Sequence, residues 1–235
     1  MKEFSPSIDV QVTPFEMIGD VNDDLLSELI AIRLVDPQDR DAKAVDSFAL
    51  RDFERRVLAD DARARGVPYN GIGLMRFYQK HLKNADMLGP EMHIVITDRL
   101  IMTWSDDDLR YHARVAVFGV PCVISVSGLV EAPARPKEYY LAKQALSAIG
   151  ATDAPLADKF SGRYLEQDDS RTFQVMRGYL LQCLFYALFS DPFCKNKNCM
   201  LYNAHWQEDM INVQIKIGRL CNKHSRLLSS LTNSD

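Results

Sequence analysis

The sequence predicts an α/β protein in which a buried helix runs into a metal-stapled C-terminal segment, and three observations carry that prediction. Residues Ile8 to Phe15 alternate, with Ile8, Val10 and Val12 on one side as in a strand, and a helical pattern follows at once. Tyr179 to Phe189 is apolar almost all round. A helix apolar on every face is buried inside a domain, and this run is too short to span a bilayer. Finally, Cys194, Cys199, Cys221 and His224 form two short-spaced pairs, C-x4-C and C-x2-H, separated by 21 residues. Zinc takes thiolate and imidazole ligands, and a site with all four positions filled by protein has no room for water or substrate. Such a site, spread over residues 190–231, would hold structure and do no chemistry.

The chain has 235 residues, 47% of them hydrophobic, enough for one sizeable core over residues 1–235. With 28 Lys and Arg against 32 Asp and Glu the net charge is −4, which gives no global attraction to nucleic acid or anionic membranes. Met1 to Ser5 leads into no apolar signal core. Five cysteines, three of them in the two pairs, suit a reducing compartment. The expected location is the cytoplasm.

After the first strand, Asp20 to Asp24 supply cap candidates for a helix carrying Leu25, Leu26, Leu29, Ile30 and Ile32. Asp36 to Asp41 is rich in turn formers. Phe48 to Arg65 mixes acids and bases around scattered apolar anchors, which reads as a solvated amphipathic helix and not as a basic binding surface. Ser105 to Asp108 offers oxygen ligands for a hard cation, but it lacks a calcium-loop pattern, so a cap or turn before Leu109 is expected. Glu138 to Ile149 reads as a helix with Tyr140, Leu141, Ala145, Leu146 and Ile149 on one side. Residues 150–169 have no clear periodicity and read as a long loop, after which Asp169 and Ser170 are cap candidates for the buried helix and Pro192 is its stop. Ile211 to Ile217 alternates like a strand. Cys221, His224, Leu228 and Leu231 fall at helical spacing, which puts the two late ligands at a helix start, where the dipole favours thiolate. From Ser229 the tail is expected to fray.

The competing reading of the four ligands is unrelated core cysteines beside a surface histidine, or a disulfide. Cys194, however, follows Asp191-Pro192 and precedes Lys195-Asn196-Lys197-Asn198, which is loop composition, and paired spacings of this kind signal zinc. His81, His93 and His112 share no ligand spacing and read as structural. Cys122 or Cys183 paired with a distant histidine would make a nucleophile, but apolar surroundings raise a thiol pKa. The glycines of Asn70 to Gly73 lack the lysine and third glycine of a phosphate loop.

A core helix running into C-x4-C, with two further ligands about twenty residues on, resembles the C-terminal half of the archaemetzincins, zinc metallopeptidase-like proteins of the metzincin clan. Their motif is H-E-x-x-H-x-x-G-x-x-H-C. With Cys194 as the fixed point, the first histidine falls on Cys183, the glutamate on Leu184, the second histidine on Ala187, the glycine on Ser190 and the third histidine on Phe193. The Met-turn position falls on Leu201, with Met200 beside it. The resemblance resumes upstream: Pro68 to Leu82 looks like the family's segment in which a tyrosine opens a helix, and His93 to Asp98 like its following strand. Arg114 to Gly119 resembles its Phe-Gly turn, and Val123 to Leu129 its next strand. Together these cover residues 68–230. For Ile211 to Ile217 the family implies a loop or helix, so that segment stays open.

The resemblance implies a single metzincin-like α/β domain with a mixed twisted sheet, a buried central helix and one structural Zn2+ at Cys194, Cys199, Cys221 and His224. In the parent motif two histidines at i and i+4 hold zinc, and the glutamate between them takes a proton from the bound water. Leu, Ala and Phe do neither, and one thiol at Cys183 makes no three-ligand site. The reading is therefore a noncatalytic pseudopeptidase that binds a peptide or protein along a sheet edge, with Arg114 to Phe118 the candidate edge. A metallopeptidase with a rebuilt site is the alternative. Nucleic-acid binding through Lys195, Lys197, Lys216, Arg219, Lys223 and Arg226 ranks below both, since interleaved aromatics are lacking. No membrane partner is expected.

Overall fold

The computed structural model describes residues 11–12, 20–82 and 91–230. The strand expected over Ile8 to Phe15 lies outside them, except for Gln11 and Val12, which have no regular structure. Helix α1 (Asp23–Ala31) buries Leu25, Leu26, Leu29 and Ile30 and is capped by Asn22, whose side chain accepts from the Leu25 amide at 2.9 Å. Ser47 caps α2 (Phe48–Ala59) in the same way. A 3-10 turn at Asp61–Ala64, β1 (Pro68–Asn70) and α3 (Gly71–His81) follow. Their apolar faces meet in one core built on Leu26, Leu29, Val57, Tyr69, Leu74, Phe77 and Ile101.

Five more strands come next: β2 (Ile94–Thr97), β3 (Leu100–Ser105), β4 (Arg110–Arg114), β5 (Ala116–Val117) and β6 (Cys122–Ser125). In place of one twisted sheet they form two small mixed ones. In the first, β1 runs parallel to β3 and β3 antiparallel to β4; in the second, β2 runs parallel to β6 and β6 antiparallel to β5, which leaves β5 at an edge. The acidic run Asp106 to Asp108, with Leu109, makes the turn between β3 and β4, directly after Ser105 ends β3. The strand expected over Val123 to Leu129 stops at Ser125, whose hydroxyl caps α4 (Val126–Glu131) by accepting from the Gly128 amide at 2.8 Å. Gly128 is needed there, because a Cβ would run into the Arg114 carbonyl.

The remaining helices are α5 (Lys137–Ala148), α6 (Ala154–Lys159), α7 (Thr172–Phe189), α8 (Gln207–Ile211) and α9 (Asn222–Ser230). Helix α6 corrects the loop expected over residues 150–169. The packing face of α5 also differs from the expected one: Tyr140, Leu141 and Ile149 are exposed, while Tyr139 is buried. Tyr139 turns the helix inward because it packs edge-on to Phe160 and Tyr164, with the Arg135 guanidinium over its ring at 4.8 Å.

Helix α7 is the long helix the sequence promised, yet it is buried along one stripe only: Val175, Gly178, Tyr179, Gln182, Cys183 and Phe185. Its other side leaves Phe173 79% and Leu188 45% exposed. Neither Asp169 nor Ser170 caps it; the Asp169 carboxylate instead accepts from the Arg171 backbone at 2.8 Å and pairs with the Arg171 guanidinium. Residues 211–217 are helical. Helix α8 continues into a π-helical segment, Asn212–Ile217, which buries Val213 and Gln214 and ends at Gly218 with φ 57°. That glycine takes the left-handed conformation that closes a helix. Among the described residues no helix is long and apolar enough to cross a membrane.

Candidate metal centre

Cys194 and Cys199 lie on the loop that leaves α7, Cys221 stands just before α9, and His224 sits in the first turn of α9. Their ligand atoms all lie within 4.8 Å of one another. Cys194 Sγ and Cys221 Sγ are 4.0 Å apart, and His224 Nδ1 is 3.1 Å from Cys221 Sγ and 3.7 Å from Cys199 Sγ. Two sulfurs on a tetrahedral ion with bonds of about 2.3 Å stand roughly 3.8 Å apart. The four predicted residues are thus brought together at a spacing that can hold one metal ion.

Backbone bonds shape this cage before any ion is considered. The Cys194 amide donates to the Leu201 carbonyl at 2.7 Å, the Cys199 amide to Asn196 at 3.1 Å, and the Met200 amide to Arg219 at 3.0 Å, which zips the early loop to the late one. Two amides point at sulfur: Asn196 N–H to Cys194 Sγ at 3.3 Å and Cys221 N–H to Cys199 Sγ at 3.4 Å. Such donors favour thiolate. Beneath the cage, Phe185 of α7 meets the His224 ring edge-on, and Cys199 and Leu201 are buried with Phe185. The Gln214 amide fastens the π-helical segment to the Met200 carbonyl at 2.9 Å.

The electrostatics lean towards the ligand forms at two of the four positions. Burial raises the Cys221 thiol, but the backbone N–H groups of His224 and Lys223 and the neighbouring thiols outweigh it and leave the thiol below its ordinary value. Burial, helped by Lys223 and opposed by Asp191, lowers His224, which favours the neutral imidazole. Cys199 goes the other way, pushed up to about 11 by burial. A bound cation reverses such a shift, because a coordinating thiol is deprotonated outright.

The positions that the resemblance aligns with catalytic residues are scattered by comparison. Cys183 is buried against β6, Leu184 is half-buried, and Ala187 is exposed. Ser190 ends α7 in the left-handed region at φ 55°. Phe193 packs edge-on to Phe118 at 5.5 Å, and Phe118 lies 5.5 Å from Tyr186. Among the described residues, the Cys3His group is the one cluster of three or more metal-competent side chains. His81 is engaged by Glu28 at 2.8 Å and His112 by Asp108 at 2.7 Å, as structural histidines are. Burial was expected to raise both core thiols, and one behaves otherwise. Cys183 is raised by its hydrogen bond to Cys122 and by burial, while that same bond holds Cys122 below its ordinary value against the effect of burial.

Sequence reasoning missed a second polar centre. Glu54, read as part of a solvated helix face, is fully buried; it accepts from the Tyr69 hydroxyl at 2.7 Å and pairs with Arg33 at 3.2 Å and Arg99 at 3.7 Å. Arg99 also pairs with Asp61, whose other oxygen takes the Thr97 hydroxyl at 2.8 Å. Burial and the Glu54 charge push the Tyr69 phenol far above its ordinary range, so it stays a donor. Gln207 was missed as well: buried at the start of α8, it donates to the Leu129 carbonyl at 2.8 Å and accepts from the Leu165 amide at 3.1 Å. Periodicity gives no sign of a buried glutamine.

Neither the curated proteins nor the solved structures contain a match to this chain. A cage of three thiols and an imidazole at the end of a long core helix does have a family setting, however: residues 2–231 match the model described as "Probable metallopeptidase family (DUF6775)", and the protein belongs to that family.

Proposed function

We propose that this chain is a noncatalytic, metzincin-like member of its family, stabilised by one zinc ion at Cys194, Cys199, Cys221 and His224, that binds a peptide or protein without cutting it. The observation that carries the reading is the fate of the motif positions. Where the motif needs three histidines and a glutamate, the chain has Cys183, Ala187, Phe193 and Leu184. Where it needs glycine, Ser190 adopts the left-handed conformation that glycine would take, which supports the register of the comparison. Three thiols and an imidazole suit zinc among common divalent ions, and four protein ligands fill its tetrahedron.

The β5 edge supports the binding role. Its outer side is unpaired within its sheet, and an extended chain can add there as a strand through backbone hydrogen bonds. Phe118, Tyr186 and Phe193 form an aromatic group beside it, where apolar side chains of such a partner would rest.

Elemental analysis of the purified protein, beside a Cys199→Ser variant, tests the reading. The expected result is one zinc per chain, absent from the variant, with no cleavage of unfolded casein by either. Two zincs per chain, or one that survives Cys199→Ser, would defeat it and favour a peptidase with a rebuilt catalytic site.

A further inference from the structure

Residues 192–230 hold six of the chain's 28 Lys and Arg but only two of its 32 Asp and Glu, a net +4 within a chain of net −4. Of the two acids, Glu208 is committed to Arg163 at 2.6 Å. In sequence the cations fall into two stretches, Lys195 with Lys197, and Lys216, Arg219, Lys223 with Arg226. The fold joins the stretches, because Lys195 adjoins Cys194, Lys223 adjoins His224, and the Arg219 carbonyl accepts from the Met200 amide at 3.0 Å. All six are exposed.

They lack salt-bridge partners, as do Lys43, Arg76, Arg110, Arg114, Arg135, Lys137, Lys159 and Arg177 among the described residues, but nowhere else are six such cations so close in sequence. Twelve Lys and Arg residues form ion pairs among the described residues, and all twelve precede residue 172. None of the six does; Lys197 rests its ammonium 5.9 Å over the Tyr202 ring. Between them stand exposed neutral hydrogen-bonding residues, Asn196, Asn198, Asn203, Asn222 and Ser225.

We propose that this face binds the phosphate backbone of a double-stranded nucleic acid. Unpaired Lys and Arg interleaved with Asn and Ser are the side chains that make phosphate contacts, and their gain comes from counterions released off the duplex. A membrane surface would call for a run of apolar side chains beside the cations, but over residues 192–230 the exposed large hydrophobics are Phe193, which packs on Phe118, and Trp206 alone. A single strand would need several aromatic platforms for its bases, and Tyr202 is half-buried with Lys197 over its ring. The charge count given for the whole chain hides this face, since the remaining surface is acidic enough to reverse the total.

The test is fluorescence anisotropy of the full chain with a labelled mixed-sequence DNA duplex of about 20 base pairs, titrated between about 50 and 200 mM salt. Binding should weaken on the order of a hundredfold across that range if roughly four phosphates are neutralised. Lys195→Gln and Lys223→Gln should each flatten the logarithmic salt slope by about 1, and Lys43→Gln, exposed elsewhere, should leave it unchanged. Metal content and circular dichroism of the variants establish that they are folded. A duplex RNA arm separates the two sources of the same phosphate chemistry. The proposal is overturned by no binding at low salt, by a slope that Lys195→Gln and Lys223→Gln leave unaltered, or by an equal loss in Lys43→Gln. Tighter binding to single-stranded RNA, to phosphatidylserine vesicles or to polyglutamate than to either duplex overturns it as well.

Discussion

Around Glu54 the protein brings both signs of charge into its interior, whereas around Cys194, Cys199, Cys221 and His224 it gathers three thiols and an imidazole. The first centre is charge-balanced by the chain itself, though Glu54 Oε2 and two Arg99 nitrogens make no hydrogen bond: one buried carboxylate faces Arg33, Arg99 and the Tyr69 hydroxyl, and Arg99 passes the link on to Asp61 and Thr97. The second reaches the same compactness only as a set of ligands. Three thiols and an imidazole within 4.8 Å gain little from one another, and an ion at their centre would supply the missing charge. On the proposed reading, the centre around Glu54 draws its stability from the chain's own charges, while that of the C-terminal segment would depend on a bound ion.

Stripping the metal should break this comparison most visibly. Structural zinc contributes about 10 kcal/mol or more of binding free energy in zinc-finger peptides, which exceeds any single contact elsewhere in this chain. A strong chelator should collapse hydrogen-exchange protection over residues 194–230 and leave amides such as Val57, Leu74 and Ile101 in the first core protected. Protection lost equally in both regions would mean that the two centres are not independent. Protection lost in neither would mean that no ion holds the cage.

Glu54→Ala probes the other centre. Removing one partner of a buried ion pair costs about 3–5 kcal/mol, because it strands the charges left behind, here Arg99 at 3% exposure and half-buried Arg33. Urea unfolding should show a loss of that size with zinc content unchanged. A loss below about 1 kcal/mol would put Glu54 in the class of solvated surface pairs.

These two centres were unequally legible in the sequence, and the reason is spacing. Metal ligands must converge from short loops, so they are written as close pairs, and C-x4-C with C-x2-H announced the cage that the fold assembles. The Glu54 centre draws on positions 33, 54, 61, 69, 97 and 99, where each residue alone is ordinary and α2 looks like any mixed-charge helix. Burial of one turn of that helix is a tertiary fact that periodicity cannot carry. Other misreadings share this origin. Ile211 to Ile217 alternates in sequence, yet it folds as the end of α8 and a π-helical segment whose buried residues, Met210, Ile211, Val213 and Gln214, do not alternate. Helix α7 looked buried on all faces because its composition does not record that packing reaches one side of it. Helix α5 was rotated by Tyr139, whose aromatic partners lie some twenty residues ahead, at Phe160 and Tyr164.

The smallest expected effect comes from an exposed counterpart of the Glu54 centre. Asp46, on the segment before α2, takes two bonds from the Arg51 guanidinium at 2.7 and 2.8 Å and one from the Ser27 hydroxyl of α1 at 2.6 Å. The Arg51 bonds first, and Ser27 second, hold its carboxyl down to about 2. A carboxyl whose folded pKa lies below its unfolded value of about 3.9 binds fewer protons when folded. Its contribution is complete above the unfolded value and is lost as pH falls through the folded one. Asp46→Asn should therefore lower the urea midpoint slightly near neutral pH, with the gap to wild type closing between roughly pH 4 and 2. Exposure keeps the gap small, since solvent screens pairs of this kind. A gap that persisted unchanged below pH 2 would show that the Asn variant loses packing and not charge, and the contrast between a screened and an enclosed carboxylate would then rest on Glu54 alone.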